Sequence, residues 1–413
     1  MRKLKIALLH YSCPPVVGGV EEVLREQASL LHKYRHSVKI FAGNGRQYTD
    51  QYEVEINPLL SSRSPRILQV QRNILKKEKE FHLLTNEILD YLLKVLAHFD
   101  VVIAHNVISM HYNLPLTYAL HQLAESGQTK AVSWNHDSPY FFDNFPGKLL
   151  MEPWNILKKY NPNIHYVTIS ETRRQQFSKL YGERKNIEVI PNGIDPLRFF
   201  PFNPTTLPMI QKNHLFEADF IMVQPCRLNP RKNIELSICV IKALQDKGLR
   251  AKLLLSGDYD PHEGKSVSYL RKLKELAQQL QVEKDILFIA EYFSDIKETA
   301  VLDRTFIRDM YLIADMLFMP SIDEGFGIPL LEAGMIKLPI VCSNIPSFQE
   351  IANENVRYFS LDDTPEEIGD KIIDFMRNLS PSRMFRKVIN QYLWDNIYHQ
   401  KILPFLEKLV DFH

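Results

Sequence analysis

Short apolar runs rich in β-branched residues alternate with amphipathic stretches along the whole chain. Such runs are typical of parallel strands that are buried on both faces. In the first half of the chain the pattern predicts strands at 5–10, 37–41, 101–105, 131–134, 166–169 and 188–190. In the second half it predicts strands at 220–224, 251–255, 286–289, 316–319, 340–342 and 357–359.

The alternation of strands and helices occurs twice, which predicts two doubly wound α/β domains. A length of 413 residues also exceeds what one core supports, since single cores rarely grow beyond roughly 250–300 residues. Prolines crowd the segment 196–208 and exclude a continuous helix or a central strand there. We therefore expect a first domain over 1–199, a second over 200–390, and a C-terminal helix over 391–413 that crosses back to the first domain.

Composition narrows the class of protein. The chain carries 50 basic and 49 acidic residues, so it has no strong field for a polyanion, and nucleic acid is not expected as a partner. No apolar stretch approaches the roughly 18 residues of a membrane span, and the first apolar run ends at His10, as a strand would. The four cysteines form no CxxC motif, which indicates free thiols in a reducing compartment. These features favour a cytoplasmic globular enzyme, and they give no indication of its oligomeric state.

A helical pattern over 69–99 places Lys76, Lys77 and Lys79 beside several leucines. A helix of this kind can lie on a membrane surface. Acidic residues interrupt its basic face, however, and favour a solvated helix over the core.

Two segments carry candidate phosphate-binding groups. Gly18 and Gly19 follow the first predicted strand and precede a helix expected to begin near Glu21, although the full G-x-G-x-x-G motif is absent. Arg227 and Lys232 follow the strand at 220–224, and open α/β sheets bind ligands at the carboxyl ends of their strands. These cations can clamp a diphosphate, and the alternative is a solvated basic turn.

The loop over 320–332 is polar and rich in glycine, and it lies between an apolar run and a new helix. Gly325 and Gly327 allow the backbone to approach a sugar phosphate, and the helix that follows favours negative charge at its start. Glu324, before the glycines, can reach a bound ligand, and Glu332, inside the helix, can bind the hydroxyls of a nucleotide ribose. Turn glycines and caps would explain the glycines without explaining the two carboxylates.

Taken in order, five motifs resemble family 4 of the retaining glycosyltransferases. The motifs are 18–21 (GGVE), 191–195 (PNGID), Arg227 with Lys232, 324–327 (EGFG) with Glu332, and Trp394 with Asp395. This resemblance implies the GT-B fold, in which two Rossmann-like domains face each other across a cleft. It also implies that a nucleotide-sugar serves as donor.

The resemblance implies roles for individual residues. Arg227 and Lys232 would hold the donor diphosphate, Glu324 would contact the transferred sugar, and His136 would lie near the reacting carbon. The other residues expected on the donor side are Gly18, Gly19, Phe326, Gly327, Ile328, Leu331 and Glu332, with Glu332 on the ribose.

The acceptor is expected at loops that follow two predicted strands of the first domain. Residues expected to bind it are Asn106, His111, Asp137 and Tyr140. This mixture of aromatic and hydrogen-bonding groups suits a small polyhydroxylated molecule, a soluble sugar or sugar-acid.

The expected reaction is front-side displacement of the diphosphate without a metal or another cofactor, from UDP-glucose or GDP-mannose. The nucleotide base stays open, because Ala290 stands where many members of the resembled family have glycine and the segment 295–308 is longer than usual for that family. Asp258 and Asp260 have the spacing of a metal-dependent transferase, which competes with the metal-independent reaction. The sequence is also compatible with a disaccharide phosphorylase, a lipid or polysaccharide transferase, or a two-lobed solute-binding protein.

Overall fold

The computed structural model describes residues 3–142, 144–184, 186–200, 202–257, 264–295 and 304–411. The chain divides into two compact units. The first unit contains Met1–Asp195 together with Gln391–His413, and the second contains Pro196–Asn390. The chain therefore enters the second unit at Pro196, a few residues before the expected boundary.

The first unit is built on a seven-stranded parallel sheet in the order β3-β2-β1-β4-β5-β6-β7. Its strands are β1 (Lys5–His10), β2 (Ser37–Ala42), β3 (Glu53–Ile56), β4 (Val101–His105), β5 (Lys130–Asn135), β6 (Ile164–Thr168) and β7 (Ile187–Val189). Its first helices are α1 (Gly19–Lys33), α2 (Pro65–Arg72), α3 (Glu78–Leu96), α4 (Leu114–Ser126) and α5 (Glu171–Leu180).

Both faces of this sheet are covered. Leu9 of β1 packs in a core with α3 and α4, whereas its neighbour Leu8 packs in a second core with α1. Successive side chains of a strand point to opposite faces, so burial on both faces makes the apolar runs continuous.

The second unit has a six-stranded parallel sheet in the order β10-β9-β8-β11-β12-β13. Its strands are β8 (Phe220–Gln224), β9 (Ala251–Leu255), β10 (Ile286–Phe288), β11 (Met316–Met319), β12 (Ile340–Ser343) and β13 (Arg357–Phe359). Its helices are α6 (Pro196–Phe199), α7 (Thr206–Lys212), α8 (Ile234–Asp246), α9 (Gly264–Gln279), α10 (Ile289–Asp295), α11 (Arg304–Ile313), α12 (Ile328–Met335), α13 (Pro346–Ala352), α14 (Pro365–Arg377) and α15 (Ser380–Gln391).

After the second unit the chain returns to the first as α16 (Trp394–Ile397), a π-helical turn at Tyr398–Ile402 and α17 (Leu403–Asp411). Trp394 is buried against Gly193, where an added Cβ would lie 2.6 Å from the indole Cδ2. The amide of Ile194 donates to the carbonyl of Tyr392 at 2.8 Å. The motif at 191–195 is therefore joined to the start of the C-terminal helix.

The expected α/β fold class is confirmed: the chain forms two Rossmann-like units, each built on a parallel sheet. The continuous helix expected over 69–99 is wrong, because α2 ends at Arg72 and α3 begins at Glu78. The proline-rich segment 196–208 contains two separate helical stretches, α6 and the start of α7, and residues 202–205 between them are not helical. Among the residues that the structure describes, no helix has the length and apolarity needed to span a membrane.

Candidate functional site

A buried glutamine fixes the loop that follows β8. Gln224, the last residue of this strand, donates from Nε2 to the carbonyl of Lys232 at 2.8 Å and accepts from Ser237 Oγ at 2.7 Å. Its side chain has no solvent exposure, so both of its polar atoms are satisfied by the protein. The backbone position of Lys232 is therefore set by the end of the strand.

Lys232 and Glu324 contact each other directly, although 92 residues separate them in the sequence. The Lys232 ammonium donates to Glu324 Oε1, which also accepts from Ser321 Oγ at 3.1 Å. The two charged side chains are only 13% and 9% exposed. The structure thus joins two of the predicted site residues in one ion pair at the carboxyl ends of β8 and β11.

A backbone hydrogen bond holds the two loops together. The amide of Ile322 donates to the carbonyl of Arg231 at 2.8 Å. Arg227 belongs to the same loop after β8 but is exposed, and its guanidinium has no ion pair with any described residue. Next to it, burial raises the pKa of the Cys226 thiol to about 12, so this group remains protonated and unreactive.

The start of α12 depends on Gly327. This residue is the N-cap with φ of +113°, and an added Cβ would lie 3.0 Å from Phe348 Cε1. In the described part of the chain, the amides of Phe326 and Ile328 donate to no other group. The side chains of Phe326 and Ile328, and that of Leu331 one turn later, are about half exposed. Both the amides and an apolar surface are thus available at this predicted donor loop.

Glu332 lies further along α12 and is oriented by a tyrosine that the sequence patterns did not reveal. Tyr311 of α11 donates its hydroxyl to Glu332 Oε2 at 2.7 Å. Burial, followed by the bond to Glu332, raises the pKa of Tyr311, so the hydroxyl remains a donor. The two residues lie on different helices and are 21 positions apart in the sequence, so no hydrophobic periodicity indicates their contact.

The glycine pair of the first unit has a different arrangement from the expected one. Helix α1 begins at Gly19, two residues before the predicted start, and Gly18 is its extended N-cap. A Cβ on Gly18 would lie 2.1 Å from the carboxylate of Glu21, which accepts a hydrogen bond from Ser12 Oγ at 2.6 Å. The carboxylate of Glu21 thus occupies the space beside Gly18, and the roles of Gly18 and Gly19 towards a phosphate stay predictions.

Asn106 organises the loop after β5. Its side-chain Oδ1 accepts from the amides of His136 at 3.1 Å and Asp137 at 2.9 Å. Asp137 also forms an ion pair with Arg173 at 3.2 Å. The structure thus brings together three of the predicted residues of the first unit, with Asn106 holding the backbone of the other two.

The other residues predicted in this region have mixed surroundings. Tyr140 donates its hydroxyl to the carbonyl of Leu149 at 2.5 Å, so this hydroxyl is engaged within its own loop. Burial lowers the pKa of the half-buried His111. Burial, and after it the charge of His10, lowers the pKa of His136 to about 3, which keeps its imidazole neutral at pH 7.

Comparison with known families decides the identity of the chain. Residues 17–198 match the family model described as Glycosyltransferase Family 4, and residues 208–391 match the one described as Glycosyl transferases group 1. The chain belongs to the family 4 glycosyltransferases. The two matches fall on the two structural units, so each half of this glycosyltransferase corresponds to one family model.

Several proteins are similar to this glycosyltransferase over most of its length. The chain is 27% identical to mannosylglucosylglycerate synthase of Thermotoga maritima over 398 residues, which cover 87% of this chain and 85% of that one. It is 24% identical to the protein of the same name from Petrotoga mobilis, with 84% of both chains covered. A solved sucrose-phosphate synthase from Thermosynechococcus elongatus aligns over 99% of this chain and 100% of that one, with a TM-score of 0.41 and 15% identity.

The metal-dependent alternative depends on one segment of the second unit. The Asp258-Tyr259-Asp260 triplet, on which the metal-dependent reaction would depend, lies outside the described residues of this glycosyltransferase. Ala290 lies in α10, directly after β10, whereas most of the segment 295–308 is also outside the described residues.

Proposed function

We propose that this glycosyltransferase transfers mannose, with retention of configuration, from a nucleoside-diphosphate mannose to a soluble sugar-acid, and that it needs no metal. The observation that carries the proposal is the Lys232–Glu324 pair at the carboxyl ends of β8 and β11. Two similar proteins are named mannosylglucosylglycerate synthases, and this name supports both the donor sugar and the acid acceptor.

The charge that develops in the reaction lies on the departing diphosphate. A cation held in place before the reaction stabilises such charge more than a mobile one, because no reorganisation is needed. Lys232 is fixed by Glu324 and by the loop that Gln224 anchors. Arg227, with no protein partner in the described residues, adds a planar fork suited to two phosphate oxygens.

In the proposed path the bond between the anomeric carbon and the diphosphate oxygen breaks first. An acceptor hydroxyl then bonds to the anomeric carbon from the same face, and its proton passes to the departing diphosphate. His136 is neutral and nearly buried, and it contributes hydrogen bonding to the sugar rather than charge. Glu332, oriented by Tyr311, binds the ribose of the donor.

A transfer assay tests the proposal. GDP-mannose and UDP-glucose are each supplied with glucosylglycerate, with neutral disaccharides, with membrane lipid extract, and without acceptor, in EDTA and in added Mn²⁺. We expect nucleoside-diphosphate release and an axial glycosidic product from the mannose donor and the acid acceptor, with the same rate in EDTA. Transfer only into lipid would overturn the soluble acceptor, and a product of inverted configuration would overturn retention. A rate restored only by Mn²⁺ would overturn the metal-independent reaction.

A matched pair of lysine variants separates catalysis from stability. Lys232→Ala should lower kcat by about a hundredfold or more, the usual scale for losing one preorganised charge-stabilising group. Lys252→Ala removes a lysine of the same unit whose ion pair with Asp285 is 2.9 Å long, and it should leave kcat unchanged. Equal losses in both variants would show that Lys232 acts only through folding.

A further inference from the structure

Three histidines lie together at the carboxyl ends of β1, β4 and β5. They are His10, His105 and His136, and all three are buried. The proposed reaction uses only His136. A buried group that titrates near neutral pH costs stability when charged, so the two others require an explanation.

His105 makes one side-chain contact that concerns catalysis. Its Nδ1 lies 3.4 Å from Nε2 of His136, and its ring stacks on Trp134 with centroids 5.7 Å apart. Its other nitrogen, Nε2, has no hydrogen-bond partner among the described residues. Burial, followed by the neighbouring histidines, lowers the pKa of His105 well below its ordinary value, so the ring is neutral and carries one proton.

His10 fixes the backbone beneath this ring. Its Nδ1 lies 2.6 Å from the carbonyl oxygen of His105, and because a carbonyl only accepts, His10 must carry a proton on Nδ1. On its other side, His10 Nε2 lies 3.8 Å from Glu21. The end of β4 is thereby held by β1, while the ring of His105 has His136 as its hydrogen-bond partner.

Two proton arrangements satisfy the contact between His105 and His136. If His136 donates from Nε2, His105 carries its proton on Nε2, where a fully buried N–H has no acceptor. If His105 donates from Nδ1, its unpartnered Nε2 carries only a lone pair, and His136 carries its proton on Nδ1. A buried N–H group without an acceptor is rarer and more costly than a buried lone pair without a donor. The arrangement in which His105 donates from Nδ1 is therefore favoured.

We propose that His105 is a positioning residue that fixes the proton of His136 on Nδ1. His136 then meets the substrate as a neutral hydrogen-bond donor and not as a base. The inference rests on the proposed function in placing His136 at the sugar. It agrees with a path in which the departing diphosphate takes the acceptor proton, since His136 has no free lone pair to receive it.

Nitrogen NMR of the histidine rings in the free protein tests this arrangement without any substrate. Long-range ¹H–¹⁵N correlation spectra at pH 7, assigned with His136→Gln and His105→Asn, report which nitrogen is protonated. We expect a protonated Nδ1 and a pyridine-type Nε2 for His136. A protonated Nε2 on His136 would overturn the proposal, and this result is independent of whether the protein transfers mannose.

Variants of His105 supply the kinetic test. The side-chain amide of His105→Asn can still donate to His136, whereas His105→Phe cannot donate. We expect His105→Phe to lower kcat by about tenfold or more with little change in donor KM, and His105→Asn to retain most of the rate. His121→Asn, at a buried histidine bonded to Asn161, serves as the control for loss of a buried imidazole.

The outcomes separate positioning from folding. If His105→Phe and His121→Asn lose activity equally, or if His105→Asn is as slow as His105→Phe, the positioning role is wrong. If His105→Phe fails to fold, the NMR spectra of the wild type and of His105→Asn still decide the proton location. Normal NMR spectra with an inactive wild-type protein would contradict the proposed function and leave the tautomer assignment intact.

Discussion

At the residue scale, we expect both stability and activity to depend on the Lys232–Glu324 pair. The lysine side chain is 13% exposed and the glutamate side chain 9%, so water screens neither charge well. Removing one member of a buried pair leaves the other charge uncompensated, whereas removing both does not.

We therefore expect Lys232→Met to lower the free energy of unfolding by about 3 kcal/mol and the double variant Lys232→Met/Glu324→Gln to recover part of this loss. Activity should not recover in the double variant, because the cation is still missing. Urea unfolding and kcat measured on the same samples check both statements. Recovery of activity with stability would show that the pair is structural only.

Tyr311 is expected to act on binding rather than on turnover. Tyr311→Phe removes only the hydroxyl that orients Glu332, and a ribose contact is alike in ground and transition states. We expect donor KM to rise about tenfold, as for the loss of roughly 1.4 kcal/mol, with kcat nearly unchanged. Tyr358→Phe, which removes a hydroxyl bonded to the carbonyl of Phe348, is the control and should leave KM as it is.

Buried histidines make the first unit sensitive to acid. Burial, and then Lys159, lowers the pKa of His121 from 6.5 to about 4 in the folded protein. The unfolded chain binds this proton more tightly, so the contribution of His121 is complete above pH 6.5 and is lost as the pH falls towards 4. Between pH 7.5 and pH 5 we expect this residue to lower the free energy of unfolding by about 2 kcal/mol. Urea unfolding of His121→Asn should show a correspondingly smaller decrease, and an equal decrease would exclude His121 as a cause.

At the scale of secondary structure, apolar strands were predictable, whereas a polar edge strand was not. The strands β1, β4, β8, β9 and β11 have the predicted bounds, because apolar residues cover both of their faces. The partly exposed edge strand β13 also has its predicted bounds. The edge strand β3 was missed, since Glu53 and Glu55 give its four residues a polar character. The break between α2 and α3 was also missed, because Ile74 within it is buried and continues the apolar pattern.

Candidate site residues could be named from the sequence, but the contacts between them could not. Glycine and charge patterns at the ends of strands indicated Lys232, Glu324 and Glu332, whereas the partner of each depends on packing between distant loops and helices. Tyr311 and His105 had no motif of their own, so only the structure reveals them.

A substitution at Gly327 tests whether the start of α12 needs a residue with positive φ. Gly327→Ala places a Cβ against Phe348 at a φ of +113°, which should cost about 1–3 kcal/mol and displace the loop before the helix. We expect donor KM to rise along with the loss of stability. Gly334→Ala, in the same helix with no atom near its added Cβ, should be neutral or stabilising by about 0.5–1 kcal/mol. Similar behaviour of the two variants in urea unfolding would contradict the argument.

At the scale of the whole molecule, the contact of Gly193 with Trp394 joins the end of the first stretch of chain to the C-terminal helix. Gly193→Ala would place a methyl group 2.6 Å from the indole, an overpacking that costs about 1–3 kcal/mol. Hydrogen exchange should therefore increase over residues 394–411. Gly147→Ala, with no atom near its added Cβ, should leave the exchange unchanged, and unchanged exchange in Gly193→Ala would mean that the helix is held elsewhere.

The pairing of Ile194 with Tyr392 joins parts of the first unit that are synthesised far apart in time. The second unit is one continuous stretch inserted into the first, so it can fold as soon as Pro196–Asn390 has left the ribosome. The first unit begins earlier but lacks Trp394 and the C-terminal helix, which shares one core of its sheet with α1, until residues 394–411 have been synthesised. A nascent chain stopped after residue 390 would carry a finished second unit beside an incomplete first one, the reverse of the usual N-terminal-first order.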